Sequence, residues 1–241
     1  PLLHKDLARM IKMCRNLGLV VNFQTNGLLL TEERIVELLE AGLDYLGVSV
    51  NALTEEEYSV IREGNKLGEV RENLQKARRI SQHLGLPLHI HINAHLLKEE
   101  QEKRRSDVNK FVSFWHDIAD TLSISGISMF DKIEYVKGGF KRQVNLSEFT
   151  KKSDTYFRCI EPFDRLVIKW DGRVTVCCAD FDAKYIVGDV SMEFIKDIWH
   201  NSLISELRNI VRERRYSQHL LCKDCPNLYS NPFSIIFERK K

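Results

Sequence analysis

The chain has 241 residues, 43% hydrophobic and 29% charged, a globular composition sufficient for one large domain or a domain with an appendage. Its 36 basic and 34 acidic residues leave a formal charge of +2, which argues against the basic footprint of a nucleic-acid-binding surface. No apolar run approaches the roughly 18 residues needed to span a bilayer, and the first residues do not resemble a signal peptide; no membrane partner and a cytoplasmic location are expected.

In chain order, Leu3, Leu7, Ile11, Cys14 and Leu17 form a helical stripe closed by Gly18, which places Cys14 in the core. Leu19 to Gln24 is rich in β-branched and aromatic residues and predicts a strand. Thr31 suits the N-cap of the next helix, with Glu32 and Glu33 in its first turn and Gly42 at its end. Tyr45 to Val50 predicts a second, buried strand, and Thr54 with Glu57 forms a capping-box pair. Val70, Leu74, Ala77, Ile80 and Leu84 mark a helix ending at Gly85. Leu88 to Ala94 follows as a third strand, a helix runs from the charged Lys98–Lys110 stretch through Phe111, Phe114 and Trp115, and Leu122 to Ile127 is a fourth strand.

Strands alternating with helices at spacings of roughly 25 to 40 residues mean a parallel sheet with right-handed crossovers. No Gly-x-Gly-x-x-Gly follows any of these strands, so a barrel or partial barrel is preferred to a dinucleotide fold. Ligands of such sheets sit at the C-terminal strand ends, which singles out Gln24-Thr25-Asn26-Gly27, Ser49-Val50-Asn51-Ala52 and Asn93-Ala94-His95. Asn-Gly alone is also an ordinary turn pair.

The pattern changes after about residue 130. Five of the six cysteines lie beyond position 158, which fits a local metal site in a reducing compartment better than a set of disulfides. Arg165–Lys169 and Val174–Val176, joined across Asp171-Gly172, predict a hairpin that brings Cys159 and Cys177 together. Ser191 to Val211 predicts one helix, with Ile195, Ile198, Trp199, Leu203, Leu207 and Ile210 on one face, leading back to Cys222-Lys223-Asp224-Cys225. Four thiolates from a hairpin and a Cys-x-x-Cys bend could hold zinc or a [4Fe–4S] cluster. Neighbouring side chains on a strand face opposite ways, so only one of Cys177 and Cys178 is a ligand; Cys177 is preferred and Cys178 is expected to pack.

The order of Pro1-Leu2-Leu3-His4, Gln24-Thr25-Asn26-Gly27, Ser49-Val50-Asn51-Ala52 and Ile61-Arg62 resembles the radical S-adenosylmethionine (SAM) superfamily. In that family a Gly-Gly-Glu-Pro segment binds the SAM amino group, a Thr-Asn-Gly turn follows the next strand, and a Ser-x-Asp-Gly segment contacts the ribose and methionine moieties. The resemblance implies Thr25, Asn26, Ser49, Asn51 and Arg62 as cofactor-binding residues. Asn51 stands where the family usually carries aspartate, and Arg62 matches a position that meets the SAM carboxylate. No catalytic residue is assigned.

Cys159, Asp171-Gly172, Cys177-Cys178-Ala179-Asp180, Gly188-Asp189-Val190, Asp197-Ile198-Trp199, Leu207-Arg208 and Cys222-x-x-Cys225 resemble the SPASM/twitch auxiliary-cluster module. This implies one auxiliary [4Fe–4S] cluster held by Cys159, Cys177, Cys222 and Cys225. The family's Cys-x-x-x-Cys-x-x-Cys loop is absent from these residues and Pro1 resembles the last residue of Gly-Gly-Glu-Pro. A fragment is therefore expected, inactive alone, with a second [4Fe–4S] cluster on the missing N-terminal part.

The fold expected is α/β: a partial (β/α)6 TIM-like barrel over residues 1–130, and a linker with a SPASM/twitch β-hairpin plus helix module over 131–241. The activity implied is that of a radical SAM oxidoreductase, of dehydrogenase or peptide-maturase type, abstracting hydrogen with a 5′-deoxyadenosyl radical. Its partners would be a peptide or small-molecule substrate and a one-electron donor such as a flavodoxin or ferredoxin. The linker from Ser128 to Lys152, with Lys137, Lys141 and Arg142, either shapes the substrate site or is a solvated surface. The main rival is a zinc-binding adaptor on a non-catalytic barrel. A TIM-barrel hydrolase or aldolase would need carboxylates or a lysine at strand ends that carry amides and hydroxyls instead.

Overall fold

The computed structural model describes residues 1–62, 64, 66–95, 101–125, 140–142, 159–178, 180–223 and 234–239. They fall into two compact units, Pro1–Phe149 with Pro232–Lys241, and Thr150–Asn231. The linker from Ser128 to Lys152 lies outside the described residues except for the backbone of 140–142, and so does Cys225.

The first unit is built on strands β1 (Asn22–Thr25), β2 (Tyr45–Ser49), β3 (His89–His95) and β4 (Thr121–Ser125), paired in parallel in that order. Helices α1 (Leu7–Asn16), α2 (Glu32–Glu40), α3 (Glu55–Ile61), α4 (Leu67–Leu84) and α5 (Gln101–Trp115) alternate with them. This bears out the α/β class and the barrel-type sheet. Beyond β4 the sheet continues with two strands that periodicity did not single out. These are β9 (Ser234–Arg239), antiparallel to β4, and β5 (Phe140–Arg142), antiparallel to β9.

One face of the sheet is apolar and buried, with Leu46, Val48, Ile90, Ile92, Ala94, Leu122 and Ile124 at 0–1% exposure in a core completed by Ile11, Ile35, Leu38, Val70, Leu74, Phe111 and Trp115. Burial of each large aliphatic side chain stabilises the unit by about 1.5–3 kcal/mol. Register places Gly47, His91 and Thr121 in one row and Ser49, Asn93 and Ser123 in the next, on the opposite, polar face.

The predicted caps are present. Thr31 Oγ1 accepts from the Arg34 amide and Thr54 Oγ1 from the Glu57 amide, while Glu57 reaches back to the Leu53 amide at 3.0 Å. Gly85 ends α4 in the left-handed region, φ 65°. The first helix begins only at Leu7, leaving Leu3 and Leu17 exposed, and Cys14 is half-buried rather than in the core. Arg78 clamps the other end of the sheet, donating to the Ile118 and Leu88 carbonyls and to Asp120, whose carboxylate also accepts from the Ile90 amide at 2.8 Å.

The second unit contains helix α6 (Glu161–Asp164) and an antiparallel sheet of β6 (Val167–Ile168), β7 (Arg173–Thr175) and β8 (Gly188–Asp189). The hairpin turn falls at Asp171-Gly172, with Gly172 at φ 93°. Two helices follow where the apolar stripe predicted one: α7 (Ile195–His200) and α8 (Ser202–Arg212). Asn201 makes the break, because its Oδ1 caps α8 at the Ile204 amide and its Nδ2 donates to the Val187 carbonyl. Val174, Val176, Val187, Ile198, Ile204, Leu207 and Val211 form this unit's core. No helix of the described residues is long and apolar enough to cross a membrane.

Candidate functional site

A cavity of about 350 Å³ opens at the C-terminal ends of β1 and β2, lined by Pro1, Leu2, Leu3, Gln24, Thr25, Asn26, Leu29, Ser49 and Arg62. Its size suits a small-molecule site. Four of the five residues singled out from sequence, Thr25, Asn26, Ser49 and Arg62, meet there. The fifth, Asn51, stands behind Ser49, whose hydroxyl donates to Asn51 Oδ1 at 2.6 Å.

The turn after β1 is held by its own side chains. Buried Thr25 accepts at Oγ1 from the Gly27 amide and Asn26 Oδ1 accepts from the Leu28 amide, both at 3.2 Å. From α4, Asn73 Nδ2 donates to the Gly27 and Leu28 carbonyls. Gly27 sits at φ 81°, and a Cβ there would lie 3.0 Å from Val70 Cγ1, so only glycine lets the turn press against the helix. Thr25 thus shapes the turn, while Asn26 and exposed Arg62 supply polarity at the rim. Arg62 Nη2 is 3.5 Å from the Ser49 carbonyl, a long contact.

The turn after β2 is tied to β3. The Val50 and Asn51 amides donate to the Asn93 carbonyl at 2.9 and 3.4 Å, and Asn51 adopts φ 61°, which asparagine tolerates better than most residues. A neutral amide, guanidinium and hydroxyl around one cavity can bind a carboxylate and vicinal hydroxyls by hydrogen bonding.

The polar face of the sheet carries residues that sequence reading did not assign. Thr121 Oγ1 is 3.0 Å from His89 Nε2 and 2.7 Å from His91 Nδ1, and Ser123 Oγ is 3.0 Å from His91 Nε2. Burial, followed by the neighbouring His89 charge, pushes the His91 pKa below the usual histidine value. The signal was the alternation His89-Ile90-His91-Ile92-Asn93-Ala94, polar on one face and apolar on the other.

In the second unit, Cys159 and Cys222 pack, half-buried, against the apolar core together with Tyr216 and Tyr185. The Tyr216 hydroxyl accepts from the Cys159 amide at 3.5 Å. Burial raises the Tyr216 pKa against the effect of that hydrogen bond, and charge at Cys159 and Cys222 raises it further. Tyr185 is raised by burial, then by Glu206 and Cys222. His219, 6% exposed, accepts the Leu221 amide at Nδ1, and its Nε2 has no hydrogen-bond partner among the described residues.

Cys177 is half-buried at the end of the hairpin, its carbonyl accepting from the Asp180 amide at 3.1 Å. Cys178 is exposed rather than packed, because β7 stops at Thr175 and the chain turns before strand alternation can tuck it inward. Buried Asp180 fixes that turn through the Lys184 and Tyr185 amides, and Lys169 Nζ donates to its carbonyl. Among the described residues no three His, Cys, Asp or Glu side chains converge closely enough to hold a metal ion, and the fourth candidate thiolate, Cys225, lies outside them. Two half-buried thiols flanked by tyrosines, one of which, Tyr185, also meets the His219 ring edge-on at 4.5 Å, are a donor set that fits a sulfur-ligated group.

Residues 1–112 match the family described as the radical SAM superfamily, and residues 159–226 match SPASM, described as an iron–sulfur cluster-binding domain. An S-adenosyl-L-methionine-dependent 2-deoxy-scyllo-inosamine dehydrogenase of Niallia circulans is 30% identical over 83 residues, 34% of this chain and 33% of that protein. An uncharacterized protein of Methanocaldococcus jannaschii is 37% identical over 78 residues, 32% of this chain and 27% of that protein. The matches span about a third of these relatives' length. Among solved structures, BtrN in an open conformation superposes with a TM-score of 0.51 at 18% identity, over 96% of this chain and 69% of that one. BtrN in complex with AdoMet and 2-DOIA gives 0.51 at 20%, over 93% and 68%. At these identities the likeness is one of fold.

Proposed function

The chain belongs to the radical SAM superfamily and carries a SPASM-type iron–sulfur cluster-binding domain, and from that premise we propose that it binds SAM in the cavity at the ends of β1 and β2 and serves hydrogen abstraction from a hydroxyl-bearing small molecule. When bound beside a reduced [4Fe–4S] cluster, whose three-cysteine loop is absent from these residues and which a flavodoxin- or ferredoxin-like donor would reduce, SAM would supply the hydrogen-abstracting 5′-deoxyadenosyl radical with release of methionine.

The observation that carries the reading is the cavity itself. Arg62 offers a guanidinium to the methionyl carboxylate, a pairing worth about 1.5–3 kcal/mol for a charge-assisted bond. Ser49 and Asn26 offer polar groups at the strand ends to the hydroxyls and the amine. Gly27 keeps the turn close to α4, so that the wall does not yield when the ligand enters. In the second unit, Cys159, Cys177, Cys222 and Cys225 would hold one [4Fe–4S] cluster, with Tyr216 and Tyr185 excluding water from its protein side. The dehydrogenase type is favoured over peptide maturation by the name of the Niallia circulans relative.

Isothermal titration of the protein with SAM tests the site. Arg62→Ala is expected to weaken binding by about tenfold or more, from the loss of a charge-assisted bond. Equal affinity of the variant and the parent protein would remove Arg62 and this cavity from the proposal.

A further inference from the structure

The hydroxyl–imidazole chain on the polar face of the sheet has a property that the cofactor cavity does not explain. Its three hydrogen bonds, at 3.0, 2.7 and 3.0 Å, join His89 Nε2 to Thr121 Oγ1, Thr121 Oγ1 to His91 Nδ1, and His91 Nε2 to Ser123 Oγ without a gap. A hydroxyl both donates and accepts, and a neutral imidazole donates from one nitrogen while accepting at the other. All three bonds can therefore point the same way, from Ser123 through His91 and Thr121 to His89.

The two ends lie in different places. Register sets Ser123 beside Asn93 and Asn93 beside Ser49, which lines the cavity, so the upper end stands two strands, roughly 10 Å, from that wall. The lower end, His89, is half-buried at the start of β3, its ring 4.8 Å from that of exposed Tyr45. Burial keeps His91 neutral near pH 7, the state that conduction requires.

We propose that Ser123, His91, Thr121 and His89 form a proton relay that carries a proton from the ligand-binding end of the sheet to its solvent-facing N-terminal end. The proposal rests on the reading of the chain as part of a SAM-dependent alcohol oxidation. There, a substrate H–C–O–H loses its carbon-bound hydrogen atom to the deoxyadenosyl radical. Closing the C=O bond then requires loss of the hydroxyl proton and one electron, the electron passing to an iron–sulfur cluster as oxidant. The relay takes the proton: Ser123 accepts it as its own hydroxyl proton moves to His91 Nε2. His91 Nδ1–H passes to Thr121, the Thr121 proton to His89 Nε2, and His89 Nδ1–H to water, so one proton leaves for each that enters.

Two measurements test this. In 15N-histidine-labelled protein at neutral pH, His91 is expected as a single neutral tautomer, and Thr121→Val, which deletes the central hydroxyl with little change of shape, is expected to shift the signals of both His89 and His91. A charged His91, or a Thr121→Val response confined to one ring, overturns the relay. In the enzyme supplied with the SAM-cleaving cluster loop that these residues lack, reconstituted with SAM, reductant and 2-deoxy-scyllo-inosamine, Thr121→Val should lower ketone formation roughly a hundredfold, within the range of general acid–base effects, while deoxyadenosine formation persists. Thr121→Ser should recover it, which a purely structural role of the threonine would not predict. Ketone formation by Thr121→Val at the parent rate overturns the proposal. If the parent enzyme itself yields no deoxyadenosine or no ketone, the oxidation reading fails, and the relay stands or falls on the histidine spectra.

Discussion

Ser49 donates its hydroxyl to Asn51 Oδ1 at 2.6 Å across a turn in which Asn51 holds a left-handed backbone, φ 61°. The bond joins the residue that lines the cavity to the one behind it, and the Asn93 carbonyl beneath accepts both amides of that turn. An asparagine here keeps the carbonyl that Ser49 needs without placing a negative charge beside the pocket.

Asn51→Gly separates the backbone role from the side-chain role, because glycine adopts positive φ without strain. The melting temperature is expected to stay close to that of the parent. SAM affinity, measured by titration, should fall by about fivefold, the loss of one hydrogen bond that positions Ser49.

Gly188 lies against α7: a Cβ at this position would stand 2.7 Å from Ile198 Cγ1 and 3.0 Å from both Cδ1 and Cγ2 of that buried side chain. Gly188→Ala should therefore destabilise the second unit by about 1–3 kcal/mol, as overpacking does, read from the midpoint of urea unfolding followed by Trp199 fluorescence. Gly64→Ala, where a Cβ meets nothing within 4 Å among the described residues but φ is 104°, reads the cost of backbone strain.

Arg78 ties α4 to the ends of β3 and β4 through two carbonyls and Asp120, with 15% of its side chain exposed. Arg78→Ala should lower stability by about 2 kcal/mol, because the Asp120 carboxylate and the carbonyls lose a charged donor in a poorly hydrated place. Arg165→Ala, whose partner Glu161 it meets with 45% of its own side chain exposed, should change the midpoint little.

The His91 shift gives a pH dependence with a defined sign. Its folded pKa lies below the usual value of 6.5, through burial first and the His89 charge second. Below about pH 6.5 the unfolded chain therefore binds a proton that the folded one refuses, so stability falls as the pH drops through that value and towards the lower folded pKa. Urea unfolding should show this loss on acidification in the parent protein and a smaller one in His91→Gln.

Iron content and absorbance near 400 nm report on the second unit. Anaerobic reconstitution should load iron and sulfide, and Cys159→Ser or Cys222→Ser should reduce both while Cys178→Ser, at an exposed position, leaves them unchanged. Stoichiometric zinc in a colourless protein would instead favour the structural adaptor.

Much was legible in the sequence because it was local. A capping threonine acts on residues three positions away, Asp171-Gly172 makes its own turn, and the apolar stripe of α4 needs only helical periodicity to be seen. The ends of β1 and β2 were legible for the same reason: Thr25, Asn26, Ser49 and Asn51 bond within their own turns. Relations set by packing between distant segments were not. The pairing of β9 with β4 joins residues more than a hundred positions apart, with no local pattern to announce it. Asn201 reads as one more helical residue until its Nδ2 meets Val187. The strand Leu88 to Ala94 was plain in the sequence, but that both its histidines share one threonine hydroxyl depends on the register of β4, which only the folded sheet fixes.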